Sequence, residues 1–198
     1  MKRQNNIEEF NEFYNLKEKN IKSNYNLDAI YAIDNNNGLS KNGNIPWNSK
    51  TDMSFFKLKT INNIVIMGKN TFFSLPQVNR PLKNRLNIVI TNDQTLINSF
   101  HRDIIFTNNL DIYKNINKNR KKILQDYPYL KEDFKIYIIG GKQIYLHYLP
   151  YCNIIYRTQI KNNYNCDLIM NYDLSNYKET NIYENDELII NSYSLVTL

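Results

Sequence analysis

The chain is built on short runs that are apolar along almost their whole length, separated by segments of helical spacing. Leu27–Ile33, Ile64–Met67, Leu86–Ile90, Ile104–Phe106, Lys135–Ile139 and Asn153–Lys161 read as strands. Helical patterns lie among them at Lys50–Thr60, Lys69–Leu75, Leu110–Asp126 and Lys142–Leu149. A strand with one wet face alternates apolar and polar side chains; these runs do not, so both faces must be covered. The pattern predicts an α/β fold with a mixed, mostly parallel sheet flanked by helices. The end of the chain differs. Tyr177–Tyr183 and Leu188–Thr197 alternate, as an antiparallel pair joined through Glu184-Asn-Asp-Glu187 would.

A length of 198 residues suits one domain with a sizeable core. Residues 1–26 read as an N-terminal extension: Ile7, Phe10, Phe13, Tyr14 and Leu16 have the spacing of a short amphipathic helix, and a polar linker follows. Residues 27–198 carry the domain. Two cysteines, Cys152 and Cys166, exclude a disulfide-rich scaffold. With only His101 and His147 beside them, no metal site is expected. No apolar run reaches the roughly 18 residues of a membrane span. The polar N-terminus lacks a signal-peptide core, so a cytoplasmic location is expected. The chain has 35 Asn and 16 Tyr against 5 Gly. The enriched types have codons rich in A and T, which marks an AT-rich genome, and Asn is expected to replace other polar residues on the surface. The net charge of +6 can steer an anionic partner, either nucleic acid or a phosphorylated small molecule. The basic run Lys118-Asn-Arg-Lys-Lys122 reads as a solvated helix face, and no nucleic-acid partner is expected.

The longest irregular stretch is Asp34–Ser49, directly after the first strand, and a loop of that length in a small domain is usually functional. Its glycines, Gly38 and Gly43, permit backbone angles that other residues resist. It ends in Ile45-Pro46-Trp47, which suits a lid over a flat ligand. Asp52 follows. Ser49 three residues earlier resembles a helix cap with the acid at the third helical position. Met53 and Phe56 look core-facing, which would turn Asp52 partly inward, where an unpartnered carboxylate is costly. Asp52 is therefore either a cap or a site carboxylate.

Two strand ends suit phosphate. In Val65-Ile-Met-Gly68-Lys69-Asn70-Thr71 a strand meets a glycine, and a helix begins with a cation and a hydroxyl. In Ile136-Tyr-Ile-Ile139-Gly140-Gly141-Lys142-Gln143-Ile-Tyr145 a strand runs into paired glycines and a helix. Two such ends in one sheet can face the same crevice at the strand carboxyl ends. The G-x-G-x-x-G dinucleotide fingerprint is absent.

These pieces, together with Asn44-Ile-Pro-Trp47, Phe56-Lys57 and Arg80-Pro-Leu-Lys-Asn-Arg85-Leu-Asn, resemble dihydrofolate reductase in order and register from about Leu27 onward. The resemblance implies an eight-stranded sheet with about four helices, and NADPH-dependent reduction of 7,8-dihydrofolate. It implies that Asp52 grips the pterin N–H and amino group, that Thr158 hydrogen-bonds that carboxylate, and that Trp47 holds a water at the pterin. Ile30, Ala32, Ile33, Met53 and Ile139 would line the substrate pocket. Phe56 and Leu75 would sandwich the benzoyl group, and Arg85 would pair with the α-carboxylate of the glutamate. Gly68, Lys69, Asn70, Thr71, Thr91, Asn92, Gly140, Gly141, Lys142 and Gln143 would hold the cofactor. Lys69 would select the 2′-phosphate, the glycine pair would be joined by a cis peptide, and Ala32 and Tyr145 would lie near the nicotinamide. A monomer is expected, and with no thymidylate synthase segment after Leu198, a monofunctional form. This sequence departs from the pattern at Gly38-Leu39-Ser40, where Ser40 replaces a glycine of the lid, at Lys142 and Gln143, and at Leu168. An RNA-binding protein that keeps the fold is one alternative. A reductase of another pterin is a second, and Arg85 argues against it.

Overall fold

The computed structural model describes residues 25–195. Its strands are β1 (Leu27–Ile33), β2 (Gly38–Ser40), β3 (Ile64–Gly68), β4 (Leu86–Ile90), β5 (Ile104–Thr107), β6 (Ile136–Gly140), β7 (Ile154–Ile160), β8 (Leu168–Ile169), β9 (Tyr177–Glu184) and β10 (Leu188–Leu195). Its helices are α1 (Lys50–Thr60), α2 (Lys69–Ser74), α3 (Gln94–Ile97), α4 (Ile112–Lys118), α5 (Arg120–Asp126) and α6 (Lys142–Tyr148). Eight strands form one sheet in the order β5-β4-β3-β6-β1-β7-β10-β9. The pairings from β5 to β7 are parallel, and β10 lies antiparallel between β7 and β9.

From β5 to β1 both sheet faces are covered, as strands without alternation require, whereas β7 alternates and β9 at the edge is exposed. Ile64 and Ile66 of β3 pack on one side with Tyr31, Ile112, Ile123 and Tyr148, under α4, α5 and α6. Val65 and Met67 point the other way and pack with Ile30, Phe72 and Tyr137, with Phe55 and Phe56 of α1 against them. Most of the active-site expectations fall on this second side, but Ile33 and Tyr145 pack in the first cluster, and Ile33, which alternates with Ile30 and Ala32 along β1, does not line the pterin pocket.

Further expectations from the sequence are corrected by the course of the chain. The segment Leu110–Asp126 is two helices, broken at Asn119, whose φ of −107° and ψ of 26° leave the helical region. The loop after β1 is not wholly irregular: β2 pairs with β8 in a small second sheet. α3 and two short 3₁₀ turns, Gln77–Asn79 and Leu149–Tyr151, went unread because their runs are too short for a period to register. The basic run is not a plain solvated face, since Arg120 lies over the Phe134 ring at 3.9 Å and donates to the Phe134 carbonyl. The N-terminal helix reading, Ile7 to Leu16, lies outside the described residues, as does the end of the last predicted strand beyond Leu195.

Asparagine also does more than cover the surface. Among the described residues, all six non-glycine positions with positive φ are Asn: 26, 37, 42, 62, 84 and 165. Its short side chain tolerates the left-handed region better than other non-glycine residues do. Buried Asn87 has a different task. It accepts from Leu82 N and donates to the carbonyls of Leu82 and Arg85, fastening the loop before β4 to the sheet. Asn87→Ala strands these backbone groups and should cost about 2–4 kcal/mol, read as a lower urea midpoint with unchanged slope.

Candidate active site

α1 leaves the lid with Ser49 as its cap: the Asp52 N–H donates to the Ser49 hydroxyl at 3.2 Å. The backbone of Asp52 thus takes part in the cap while its carboxylate is free to turn inward. The buried stripe of α1 runs through Thr51, Asp52, Phe55, Phe56, Lys59 and Thr60. Met53 lies off it and is 60% exposed, which corrects the core-facing reading. The residue behind the error is Asp52: the helix presents an acid to the interior where the pattern would place an apolar residue.

β1, β7 and β10 form the wall that the acid meets. Ala32 is paired with Thr158, and Thr158 with Ile190. Burial pushes the Asp52 carboxyl above the usual carboxylate range; the Thr158 hydroxyl donates to it and pulls the other way, Glu187 adds to the rise, and the Trp47 indole lowers it. Trp47 Nε1 is buried and closes no hydrogen bond of normal geometry among the described residues. The indole N–H and the carboxylate together form a polar corner that a polar group between them would satisfy. Because the folded state holds the Asp52 proton more tightly than the unfolded chain does, stability from this group falls as pH rises from the ordinary carboxylate range through the raised value.

Arg85 sits at a second polar point. It is only 6% exposed, its Nε donates to Thr60 Oγ1 at 2.9 Å, and its guanidinium lies 5.8 Å from the Phe56 ring. Burial draws its pKa down from the usual value, and no carboxylate is within ion-pair distance among the described residues. A buried guanidinium stays charged and needs an anion. Phe56 and Leu75 pack half-buried against the same core cluster. The sequence reading missed Thr60, which accepts from Arg85 and donates to the Phe56 carbonyl, and Asn87, which holds the Arg85 loop. A threonine late in a helix and an asparagine in a strand carry no sequence signal for these tasks.

The two phosphate-suited strand ends are neighbours. β3 lies between β4 and β6, with Gly68 level with Ile90 and Met67 level with Gly140. The peptide bond between Gly140 and Gly141 is cis. Gly140 has φ of +137°, which disfavours other residues, and a Cβ on Gly141 would come within 3.1 Å of Thr71 Oγ1. Thr71 at the start of α2 is thereby seated on the glycine pair. Gly68 and Gly141 begin α2 and α6 without a side-chain cap, so their first N–H groups are not taken by a cap. Thr91 follows β4 and is buried; Asn70, Asn92 and Gln143 are exposed. Lys142 is half-buried at the start of α6. Lys69 is not a free cation, because its Nζ lies 3.4 Å from Asp93, which also caps α3. Tyr145 is buried, with its hydroxyl on the Ile30 carbonyl at 2.9 Å. Ile139 is half-buried at the end of β6.

The lid is tied down. Burial works against the charge of Asp34, but N–H donors from Tyr164, Gly38 and Asn36 outweigh it and hold the carboxyl below its usual range. Asn42 N donates to Asp167 at 2.7 Å, and Met170 N to the Asn37 carbonyl at 2.8 Å. Gly38 is needed for room, not for unusual angles, since a Cβ there would lie 2.5 Å from Cys166 Cβ. Only Gly43 of the two lid glycines has positive φ. Ile45 stands 63% exposed at the tip.

The sequence profile of a family described as dihydrofolate reductase matches residues 26–197. The chain belongs to the dihydrofolate reductase family. The dihydrofolate reductase of Ureaplasma parvum is 34% identical over 170 residues, covering 85% of this chain and 96% of that protein. The viral dihydrofolate reductase of Saimiriine herpesvirus 2 is 33% identical over 77% of this chain and 72% of its own. The bifunctional dihydrofolate reductase-thymidylate synthase of Daucus carota is 35% identical over 70% of this chain, but only 27% of that protein is covered. A structure of the Enterococcus faecalis dihydrofolate reductase, complexed with NADP(H) and RAB-propyl, superposes with a TM-score of 0.66 at 24% identity, covering 85% of this chain and 95% of that one. That likeness concerns the fold. Among the described residues, no helix is long and apolar enough to cross a membrane.

In this dihydrofolate reductase the Thr158 hydroxyl stabilises ionised Asp52. Thr158→Val keeps the shape and removes the donor, so the Asp52 titration midpoint should move upward, as followed by side-chain carbon NMR.

Proposed function

We propose that the chain reduces 7,8-dihydrofolate to tetrahydrofolate with NADPH. The observation that carries this reading is the inward carboxylate of Asp52, raised in pKa by burial and backed by Thr158 and Trp47, on the same helix as Phe56 and Arg85's partner Thr60.

The residues divide the work. An ionised Asp52 accepts two N–H donors side by side from the pterin edge, a bidentate and charge-assisted contact that orients the ring. Ile30 and Ala32, on the same face of β1, give the ring a flat apolar seat. Phe56 and Leu75 offer apolar walls for the benzoyl group. Arg85, buried and without a carboxylate partner, supplies the fork for the α-carboxylate of the glutamate. A substrate lacking that carboxylate would leave this charge unanswered, which disfavours the reading as a reductase of a simpler pterin.

On the cofactor side, the glycine pair, Thr71, the uncapped starts of α2 and α6, and Lys69 with Thr91 fit a phosphate-bearing dinucleotide. When bound, the reduced nicotinamide supplies the hydride that adds at C6. The proton for N5 completes the reduction of the C6–N5 double bond. Asp52 does not deliver it directly: a water held between the Trp47 indole and the substrate does, and the ionised carboxylate tunes the field around it. Shared with Asp93, Lys69 contributes part of a charge to recognition of the 2′-phosphate. We place the protein in the cytoplasm, as a monomer, which size-exclusion chromatography with light scattering checks.

Asp52→Asn should leave NADPH binding within about twofold and lower turnover roughly 10²- to 10⁴-fold. Wild-type turnover should fall as pH rises and N5 loses its proton, and in the variant, which lacks the field of the carboxylate, the fall should come at lower pH. Wild-type rates in Asp52→Asn, measured as loss of NADPH absorbance, would reduce Asp52 to a helix cap. Arg85→Met should raise KM for dihydrofolate with a much smaller change in kcat, because the lost contact is equal in ground and transition states.

A further inference from the structure

A second cavity lies behind the sheet. It has a volume of about 450 Å³ and takes its walls from β1, β7 and the segment after β8. Along β1 its residues Tyr31 and Ile33 alternate with Ile30 and Ala32, and along β7 Arg157 alternates with Tyr156 and Thr158. It therefore opens on the face away from Asp52. Its size lies within the range of small-molecule sites, about 300–1,000 Å³.

Arg157 is the cation of this cavity, and its charge is weakly answered. Its guanidinium rests on the Tyr193 ring at 4.7 Å. Its ion-pair contact, with Glu179 Oε1, is long at 3.9 Å. That oxygen already accepts from the Tyr193 hydroxyl and the Asn191 amide. Arg157 Nε is buried without an acceptor among the described residues. The other walls suit a flat body: the Tyr31 and Tyr172 rings, with Ile33 and Met170 between polar groups. Burial pushes the Tyr31 hydroxyl up to about 12, so at neutral pH it is a proton donor. Asp173 stands at the exposed rim with its carboxylate accepting from Ser175 N. A negative rim opposes multiply charged phosphates more than a single carboxylate.

We propose that this cavity is a second ligand site, for a flat, apolar monocarboxylate headed by Arg157, at the root of the lid. It does not rest on the reductase reading. Asn37 and Met170 both line it, and the Met170 N–H donates to the Asn37 carbonyl at 2.8 Å where the lid is fastened. An occupant therefore touches both sides of that fastening.

Benzoate serves as the probe. Titrated into the ¹⁵N-labelled full chain, it should shift the backbone amides of Asn37 and of residues 170–173 saturably. Arg157→Met should weaken this binding at least tenfold, and benzamide, of the same shape without the charge, should give no saturable shift there. No saturable shift at these amides overturns the proposal. So does an equal response to benzamide, unchanged affinity in a folded Arg157→Met, or shifts confined to the neighbourhood of Phe56 and Arg85. The benzamide comparison needs no variant and decides the matter if Arg157→Met fails to fold.

Discussion

Burial of both faces of the sheet from β5 to β1 is the constraint from which the rest follows. Strands closed to solvent on either side can offer chemistry only beyond their ends or through a residue that breaks the apolar rule. This chain uses both routes. The ends of β3, β4 and β6 collect glycines, hydroxyls and a lysine at one edge of the crevice. Asp52, half-buried on α1, and Arg85, buried in the loop before β4, break the rule, and each is answered by a hydroxyl, Thr158 or Thr60. Those hydroxyls compensate part of the cost of holding charge away from water and leave the remainder to a ligand.

The same reasoning explains what could be read in advance. Strands buried on both faces announce themselves as unbroken apolar runs, so β1 and β4 fall on their predicted bounds. Asp52 reads in the sequence as either a helix cap or an inward acid beside Phe56, and in the structure its backbone joins the cap while its carboxylate is partly buried. Its immediate neighbour Met53 was misplaced because apolar character alone does not say which way a side chain turns. Features built from two or three residues stayed hidden. β2 with β8, the Asp34 clasp and the Asn87 fastening depend on segments that are distant in the chain and become adjacent only when folded. No period or local spacing encodes them.

The lid shows the difference between a residue's type and its reason. Gly38 reads as a flexible point, yet it is required by the close approach of Cys166, and it sits in a segment clasped by Asp34, Asp167 and Met170. Ser40, which stands where the family pattern has a further glycine, accepts from Asp167 N through its carbonyl and lies within the small β2–β8 sheet. The clasp also joins the front of the sheet to its back, since the segment that fastens the lid forms a wall of the rear cavity.

The asparagines at left-handed positions have a further effect, felt in the chain before it folds. Glycine would fit all six sites, but a glycine samples far more backbone conformations when denatured and loses more freedom on becoming ordered. Asparagine accepts the same native angles from a narrower starting ensemble. An abundance of asparagine that reads as noise in the composition thus trims the disorder of the denatured state at six positions, and the folded protein gains by what its competitor has lost.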